Sequence, residues 1–230
     1  SDSNSISPIS YFPNDNRFLF RSDQGGNEIW HIHLFNLDGT TIDLTPGKQS
    51  RSLFLKWAND KKSFFYTSNK RNPKFMDLYE MSISSFKSTL LFKNDDALNI
   101  GDVSKNKKYL ALSKTYTRDN SDIYLYDFDS KSLKKILFKE SDVNHSPSGF
   151  STNSENLYFV TDYDSEFRYL KKYNIKSGKV ELVQKEDWDI VANYFSESGK
   201  YRITAINNDS QTEIKILDTI NGKRLKLPRM

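Results

Sequence analysis

The sequence has no cysteine among its 230 residues. Disulfides and thiolate nucleophiles are therefore excluded, and cytosol and periplasm fit equally well. Histidine is scarce: only His31, His33 and His145 are present, so a catalytic triad would have few bases to draw on. No apolar run approaches the ~20 residues of a membrane-spanning helix, and no long amphipathic helical pattern appears. Charge of one sign is not in excess either. Lys+Arg number 34 against 30 Asp+Glu, a net +4. These charges are interspersed, whereas a dedicated nucleic-acid binder gathers them on one basic face. Neither a nucleic-acid partner nor a membrane span is expected. Hydrophobic residues make up 36% and mean hydropathy is −0.72, values that many turns and half-exposed strands produce. Residue 1 is Ser with no signal peptide before it, so the chain reads as an excised or processed piece.

What is abundant is a repeat. An apolar leader, a polar turn and an apolar-rich strand occur together in residues 12–22, Phe-Pro-Asn-Asp-Asn-Arg-Phe-Leu-Phe-Arg-Ser. The same order returns behind Trp57, Val103, Phe150 and Phe195. With Phe12 as the first leader, the steps are 45, 46, 47 and 45 residues. A period of ~40–50 residues over a whole chain is that of propeller blades.

Each unit divides into four short strands. In the first, strands are expected over 6–12, 17–22, 28–36 and 41–45, with Asp38-Gly39 as a tight hairpin turn. The fold class predicted is all-β: a β-propeller of four-stranded antiparallel blades, five repeats, at about 6–47, 51–94, 97–139, 143–185 and 188–228. Third strands align with Ile29, Leu78, Ile123, Leu170 and Ile214 in one column, and Ile32, Met81, Tyr126, Tyr173 and Leu217 in another. His33, Ser82, Asp127, Asn174 and Asp218 form a polar column whose ordinary role is to bond local backbone at the turn. Segments 23–27, 68–76, 116–121, 162–167 and 207–212 are read as variable loops on one face, where binding usually resides. Five blades that begin with an inner strand and end with an outer one leave open sheet faces, so self-association through those ends is expected.

The turns Pro13-Asn14-Asp15-Asn16-Arg17 and Ala58-Asn59-Asp60-Lys61-Lys62 resemble the Ser-Pro-Asp-Gly-Lys turn of TolB-like propellers. Longer strings are more specific. These are Phe-Phe-Tyr-Thr-Ser-Asn-Lys-Arg-Asn-Pro at 64–73, Phe-Met-Asp-Leu-Tyr at 75–79, Tyr-Leu-Ala-Leu-Ser-Lys-Thr at 109–115 and Ser-Asp-Ile-Tyr-Leu-Tyr-Asp at 121–127. They resemble the N-terminal propeller of bacterial prolyl oligopeptidase family serine peptidases, on the dipeptidyl-peptidase and acylaminoacyl-peptidase branch. The likeness runs over essentially the whole chain. It implies a propeller of about seven blades that caps an α/β-hydrolase domain of the same parent chain, filters peptide substrates by size and orients them. It leaves cytoplasm and periplasm both open. The Gly-x-Ser-x-Gly nucleophile elbow of that hydrolase occurs nowhere here, so no catalytic residue is expected in this chain.

Candidate binding residues follow from that picture. Carboxylates of such propellers can hold a substrate's free amino terminus, but no Glu-Glu pair exists in this sequence. The substitute is Asp164, Glu166, Phe167 and Arg168: a carboxylate there can pair with an ammonium, and the guanidinium can grip a carboxylate bidentately. Asn69, Lys70 and Arg71 are the candidates for contact with the hydrolase domain. The ordinary alternative for both groups is a solvated connector. His31 and His33 lie two apart on a strand and share a face, yet no third ligand of metal spacing accompanies them, so neither metal nor cofactor is expected. The aromatics read as blade core, with Trp30 and Trp188 the two whose exposure would say otherwise. Two further readings remain: a stand-alone TolB-like scaffold for protein–protein interaction, and a lectin-like or glycosidase propeller.

Overall fold

The computed structural model describes residues 4–137 and 142–227. The expected blade ends at 139 and 228 lie outside them. The chain divides into two compact units, Ser1–Leu98 and Asn99–Met230. Among the described residues there are nineteen strands and no helix.

The first unit holds two four-stranded antiparallel sheets. One is β1 (Ile6–Tyr11), β2 (Phe18–Ser22), β3 (His31–Phe35) and β4 (Thr41–Asp43). The other is β5 (Ser52–Trp57), β6 (Ser63–Ser68), β7 (Asp77–Ser82) and β8 (Ser88–Phe92). Both are simple meanders in chain order. Their common core is Phe12, Leu19, Ile32, Leu34, Leu44, Phe64, Tyr66, Tyr79 and Met81.

The second unit holds three sheets. They are β9 (Asn99–Val103) to β12 (Ser132–Lys135) with β10 (Tyr109–Thr117) and β11 (Asn120–Asp127) between; β13 (His145–Phe150), β14 (Asn156–Thr161), β15 (Tyr169–Asn174) and β16 (Val180–Gln184); and β17 (Asp189–Phe195), β18 (Tyr201–Asn208) and β19 (Gln211–Asp218). One core cluster gathers Ala111, Ile123, Leu125, Phe150, Leu157 and Phe159. Another joins Val160, Leu170, Ile190 and Ile206. The architecture is the expected all-β propeller of antiparallel blades in five repeats. The fifth sheet has three strands, and a single Leu217–Arg224 bridge stands where a fourth would pair.

The recurrent turn is the same device each time. The N–H of Phe12, Ala58, Ser104, Ser151 and Ser196 donates to the carbonyl five residues on, at 2.8–2.9 Å. Asp15, Asp60, Asn106 and Asn153 each accept the N–H two residues later, at 3.0–3.2 Å, which is how short polar side chains stabilise a turn. Lys61, Lys107, Ser154 and Gly199 adopt φ of 57–76° in the last four turns. Only the last uses the residue that takes this conformation without strain. This pairing moves the first leader: Phe12 matches Ala58, so Tyr11 is the counterpart of Trp57, and the first step is 46 residues rather than 45.

Register also corrects the third-strand columns of the first repeat. The N–H of Asn36, Ser82, Asn174 and Asp218 each donates across the final hairpin. Asn36, not His33, thus belongs with the turn-bonding residues, and Ile32 rather than Ile29 aligns with Leu78. The polar column does bond local backbone. Asp127 Oδ1 accepts from the N–H of Asp129 and Ser130, Asn174 Oδ1 from Ser177, and Asp218 Oδ1 from Ile220. Two expected loops are strand instead. Pairing continues through Thr117–Asn120 and Asn208–Gln211, so 116–121 and 207–212 reduce to two-residue hairpins, the second with φ of 45° and 66° at Asp209 and Ser210. Left-handed residues at both turn positions match the strand twist.

Candidate functional site

Residues 162–168 connect β14 to β15 and form a loop with a fixed base and an open tip. Asp162 Oδ1 accepts the Asn144 N–H at 2.8 Å, and its carbonyl accepts the Ser165 N–H at 3.0 Å. Asp164 takes the left-handed conformation (φ 51°), which a short polar side chain tolerates. The Tyr169 hydroxyl donates to the Tyr163 carbonyl at 2.9 Å. The four predicted residues then separate into two pairs. Asp164 and Glu166 are exposed at the tip, whereas Phe167 and Arg168 are half-buried. The Phe167 ring lies 5.4 Å from that of Trp188. The Arg168 N–H donates to Asp189 Oδ1 at 2.8 Å and its Nε lies 3.6 Å from the same oxygen. Trp188 is 37% exposed, so a partly exposed aromatic surface adjoins Phe167. Trp30 is half-buried beneath the Arg21 guanidinium. Chemically, the loop offers negative charge and an aromatic edge, which suits a cationic group.

In the first unit, Asn69, Lys70 and Arg71 open the β6–β7 connection and are tied inward. Asn69 Oδ1 accepts the Arg51 N–H at 2.8 Å, and its amide donates to the Pro73 carbonyl. Lys70 Nζ sits 3.9 Å from the Tyr79 ring centroid and donates to the Tyr66 hydroxyl. Arg71 holds Asp77 bidentately at 2.7 and 2.8 Å, and also reaches Asp95 and the Asn94 carbonyl. The Asp77 hydrogen bond raises the pKa of Arg71 above the ordinary guanidinium value. Burial, and then the negative charge of Asp77, push the Tyr79 hydroxyl up to about 12. Asp77 and Asn94, both buried, were not visible as a pair from sequence: 17 residues separate them and neither carries a motif.

In the second unit a buried cation stands in an unexpected place. Arg202 pairs across the sheet with Phe195, as Phe18, Phe64, Leu110 and Leu157 pair with their leaders, so a guanidinium occupies a column of apolar residues. Burial lowers its pKa. Nη2 donates to Gln184 Oε1 at 2.8 Å, and Nη1 is buried without a hydrogen-bond partner. Arg202 borders a cavity of about 310 Å³ together with Thr204, Lys185, Lys215 and Arg224. Burial opposes ionisation of Glu186 beside it, yet hydrogen bonds from Lys215 and Gln184 keep its carboxyl below the ordinary value.

His145, on β13, is buried, and its Nδ1 has no hydrogen-bond partner. Burial lowers its pKa from 6.5; Asp162 and Asp122 pull the other way, and Lys171 and Lys135 reinforce burial. The unfolded imidazole therefore protonates first as pH falls. Its contribution to stability is complete above about pH 6.5 and is lost as pH drops from there through the folded value. His145→Asn should flatten the fall in urea midpoint between about pH 7.5 and 5.5. A variant with the wild-type pH dependence would remove His145 from this account.

His31 and His33 do not stand alone. Asp43 on β4 completes a group whose ligand atoms lie within 4.8 Å of one another. Sequence spacing missed Asp43 because it approaches across a strand pair, not along the chain.

Comparisons with known proteins agree with this architecture. The family model described as the prolyl oligopeptidase N-terminal beta-propeller domain matches residues 2–229. Dipeptidyl aminopeptidase BIII of Pseudoxanthomonas mexicana is 25% identical over 219 residues, covering 91% of this chain and 31% of its own length. A structure from a study of two prolyl endopeptidases superposes with a TM-score of 0.69 at 15% identity, over 98% of this chain and 36% of that one. TolB from Acinetobacter baumannii gives 0.64 at 14% identity, over 95% and 51% respectively. The chain thus spans about a third of the length of the dipeptidyl aminopeptidase it matches.

Proposed function

Because the chain belongs to the prolyl oligopeptidase N-terminal β-propeller family, matched over residues 2–229, we propose that it serves a serine peptidase as the non-catalytic region that gates and orients peptide substrates. The family match is the observation that carries this reading. The chemistry itself would reside in an α/β-hydrolase domain of the same parent chain. Asp164 and Glu166 would receive the substrate's ammonium, with Phe167 and Trp188 beside it and Arg168 steadied by Asp189. A fixed loop base supports such a role, because ordering a flexible loop at each binding event would weaken it. Asn69, Lys70 and Arg71 would face the hydrolase domain through their backbone and the outer edge of Lys70, since their polar atoms already bond within the unit.

The test uses the whole parent peptidase. Asp164→Asn with Glu166→Gln is expected to raise KM roughly five- to tenfold for peptides with a free amino terminus, the loss of a charge-assisted hydrogen bond. The same peptides acetylated should be unaffected, and kcat should hold. Equal KM for variant and wild type on both peptide sets would end the substrate assignment.

The second reading, a stand-alone protein-binding scaffold, draws on the TolB likeness. It predicts a partner protein in place of peptide hydrolysis, and no Gly-x-Ser-x-Gly elbow in the parent gene.

A further inference from the structure

The three polar side chains at the β3–β4 edge are brought together by pairing geometry. Leu44 N–H donates to the Ile32 carbonyl at 2.9 Å, which makes His33 and Asp43 a non-hydrogen-bonded pair. Side chains approach most closely at such pairs. His31 lies two residues before His33, on the same face and diagonal to Asp43. The His31 Nδ1 to Asp43 Oδ2 distance is 2.7 Å, and the two imidazole centroids are 6.3 Å apart.

Each member is held in position. Asp43 Oδ1 accepts the Thr45 N–H at 2.9 Å, which leaves Oδ2 to face the histidines. The Phe20 ring stacks on His33 at 5.0 Å with 20° between planes. His31 is 6% exposed, and its Nε2 is buried without a hydrogen-bond partner, so hydrogen bonding within the fold does not account for both ring nitrogens. His33 and Asp43 are half-buried and reach solvent.

We propose that His31, His33 and Asp43 form a binding site for a divalent first-row transition cation, with Zn²⁺ the typical occupant. Two imidazoles and one carboxylate are the donor set such ions select, whereas Ca²⁺ and Mg²⁺ require oxygen cages. Three protein ligands leave the remaining position to water on the solvent side. The Thr45 N–H and the Phe20 ring act as the outer supports that orient the ligands. A bound cation would clip the three-residue edge strand β4 to β3. This assignment is independent of the peptidase reading.

The experiment titrates the untagged, chelator-stripped full chain with Zn²⁺ against a competing chelator, and with Co²⁺ while recording visible absorption. One equivalent of Zn²⁺ should bind, Co²⁺ should give a four-coordinate spectrum, and the melting temperature should rise with Zn²⁺. His33→Ala and Asp43→Asn should each weaken binding about tenfold or more and abolish the melting shift. His33 and Asp43 both reach solvent, so these substitutions should leave the fold intact, which circular dichroism checks; His31 is buried, and its substitution is not needed. Absence of saturable Zn²⁺ binding, or unchanged affinity in both variants, overturns the site.

Discussion

Asp77→Ala is expected to destabilise the first unit by about 2–3 kcal/mol, the order of cost when a buried carboxylate that accepts from a charged donor and a backbone N–H is removed. The Asp77 side chain is 0% exposed. It accepts from Arg71 Nε and Nη2, from the Asn94 N–H at 2.8 Å and from the Tyr79 hydroxyl at 3.4 Å. The Asn94 amide in turn donates to the carbonyls of Met76 and Leu98. One carboxylate therefore ties the β6–β7 connection, the start of β7 and the segment after β8. Alanine leaves the Arg71 Nε and the Asn94 N–H without the carboxylate that accepts from them. Asp77→Asn keeps acceptor oxygen but loses charge, so its cost should be smaller. Urea midpoints measure both. In a double-mutant cycle, Arg71→Ala should cost less in the Asp77→Ala background than in the wild type. A loss for Asp77→Ala below about 1 kcal/mol, the range of ordinary substitutions, would mean that water replaces the carboxylate and the network contributes little.

Phe159→Ala should cost about 3–5 kcal/mol in the second unit, as large-to-small core substitutions do. Phe159 is 1% exposed and packs among Ala111, Ile123, Leu125, Phe150 and Leu157, with the His145 ring edge-on at 6.1 Å. Neighbours drawn from two sheets, each pinned by its own ladder, have little freedom to close the void. Leu182→Ala on β16, the far edge of the same sheet and 59% exposed, provides the contrast: its effect should stay within about 0.5 kcal/mol. Thermal melts and amide exchange in β13–β15 read the difference. If Phe159→Ala behaved like Leu182→Ala, the cluster would be loosely packed instead of close-packed.

Local chemistry was legible in the sequence wherever a side chain bonds backbone two to five residues away. The Asp60 and Asn106 turns and the Asp127 and Asp218 hairpins are of this kind, and they announce the blades. Loop-like composition misleads where strand pairing continues through it. Residues such as Arg118-Asp119 and Asp209-Ser210 look like loop, but continued pairing on both sides makes them two-residue turns. The first repeat was displaced for a related reason. Residues 23–30 lengthen its second connection, so residue similarity places His33 in a column that hydrogen bonding assigns to Asn36. At the candidate loop, Asp164, Glu166, Phe167 and Arg168 could be selected by type and place, yet their division into an open tip and a fixed base required Trp188 and Asp189.

The turn chemistry and the alternation of strand residues are properties of short stretches, and their recurrence sets the period, so the linear order of amino acids was sufficient to indicate a bladed all-β chain, while the resemblance to the family lay in the longer strings at 64–79 and 109–127. Pairing across strands and between sheets is not written in any short stretch. It is settled only when backbone hydrogen bonds lock register and burial selects partners. Asp43 beside His31 and His33, Asp77 within the grip of Arg71, and a guanidinium in an apolar column at Arg202 all arise at that stage, because each depends on which strands pair and in which register, not on a motif along the chain.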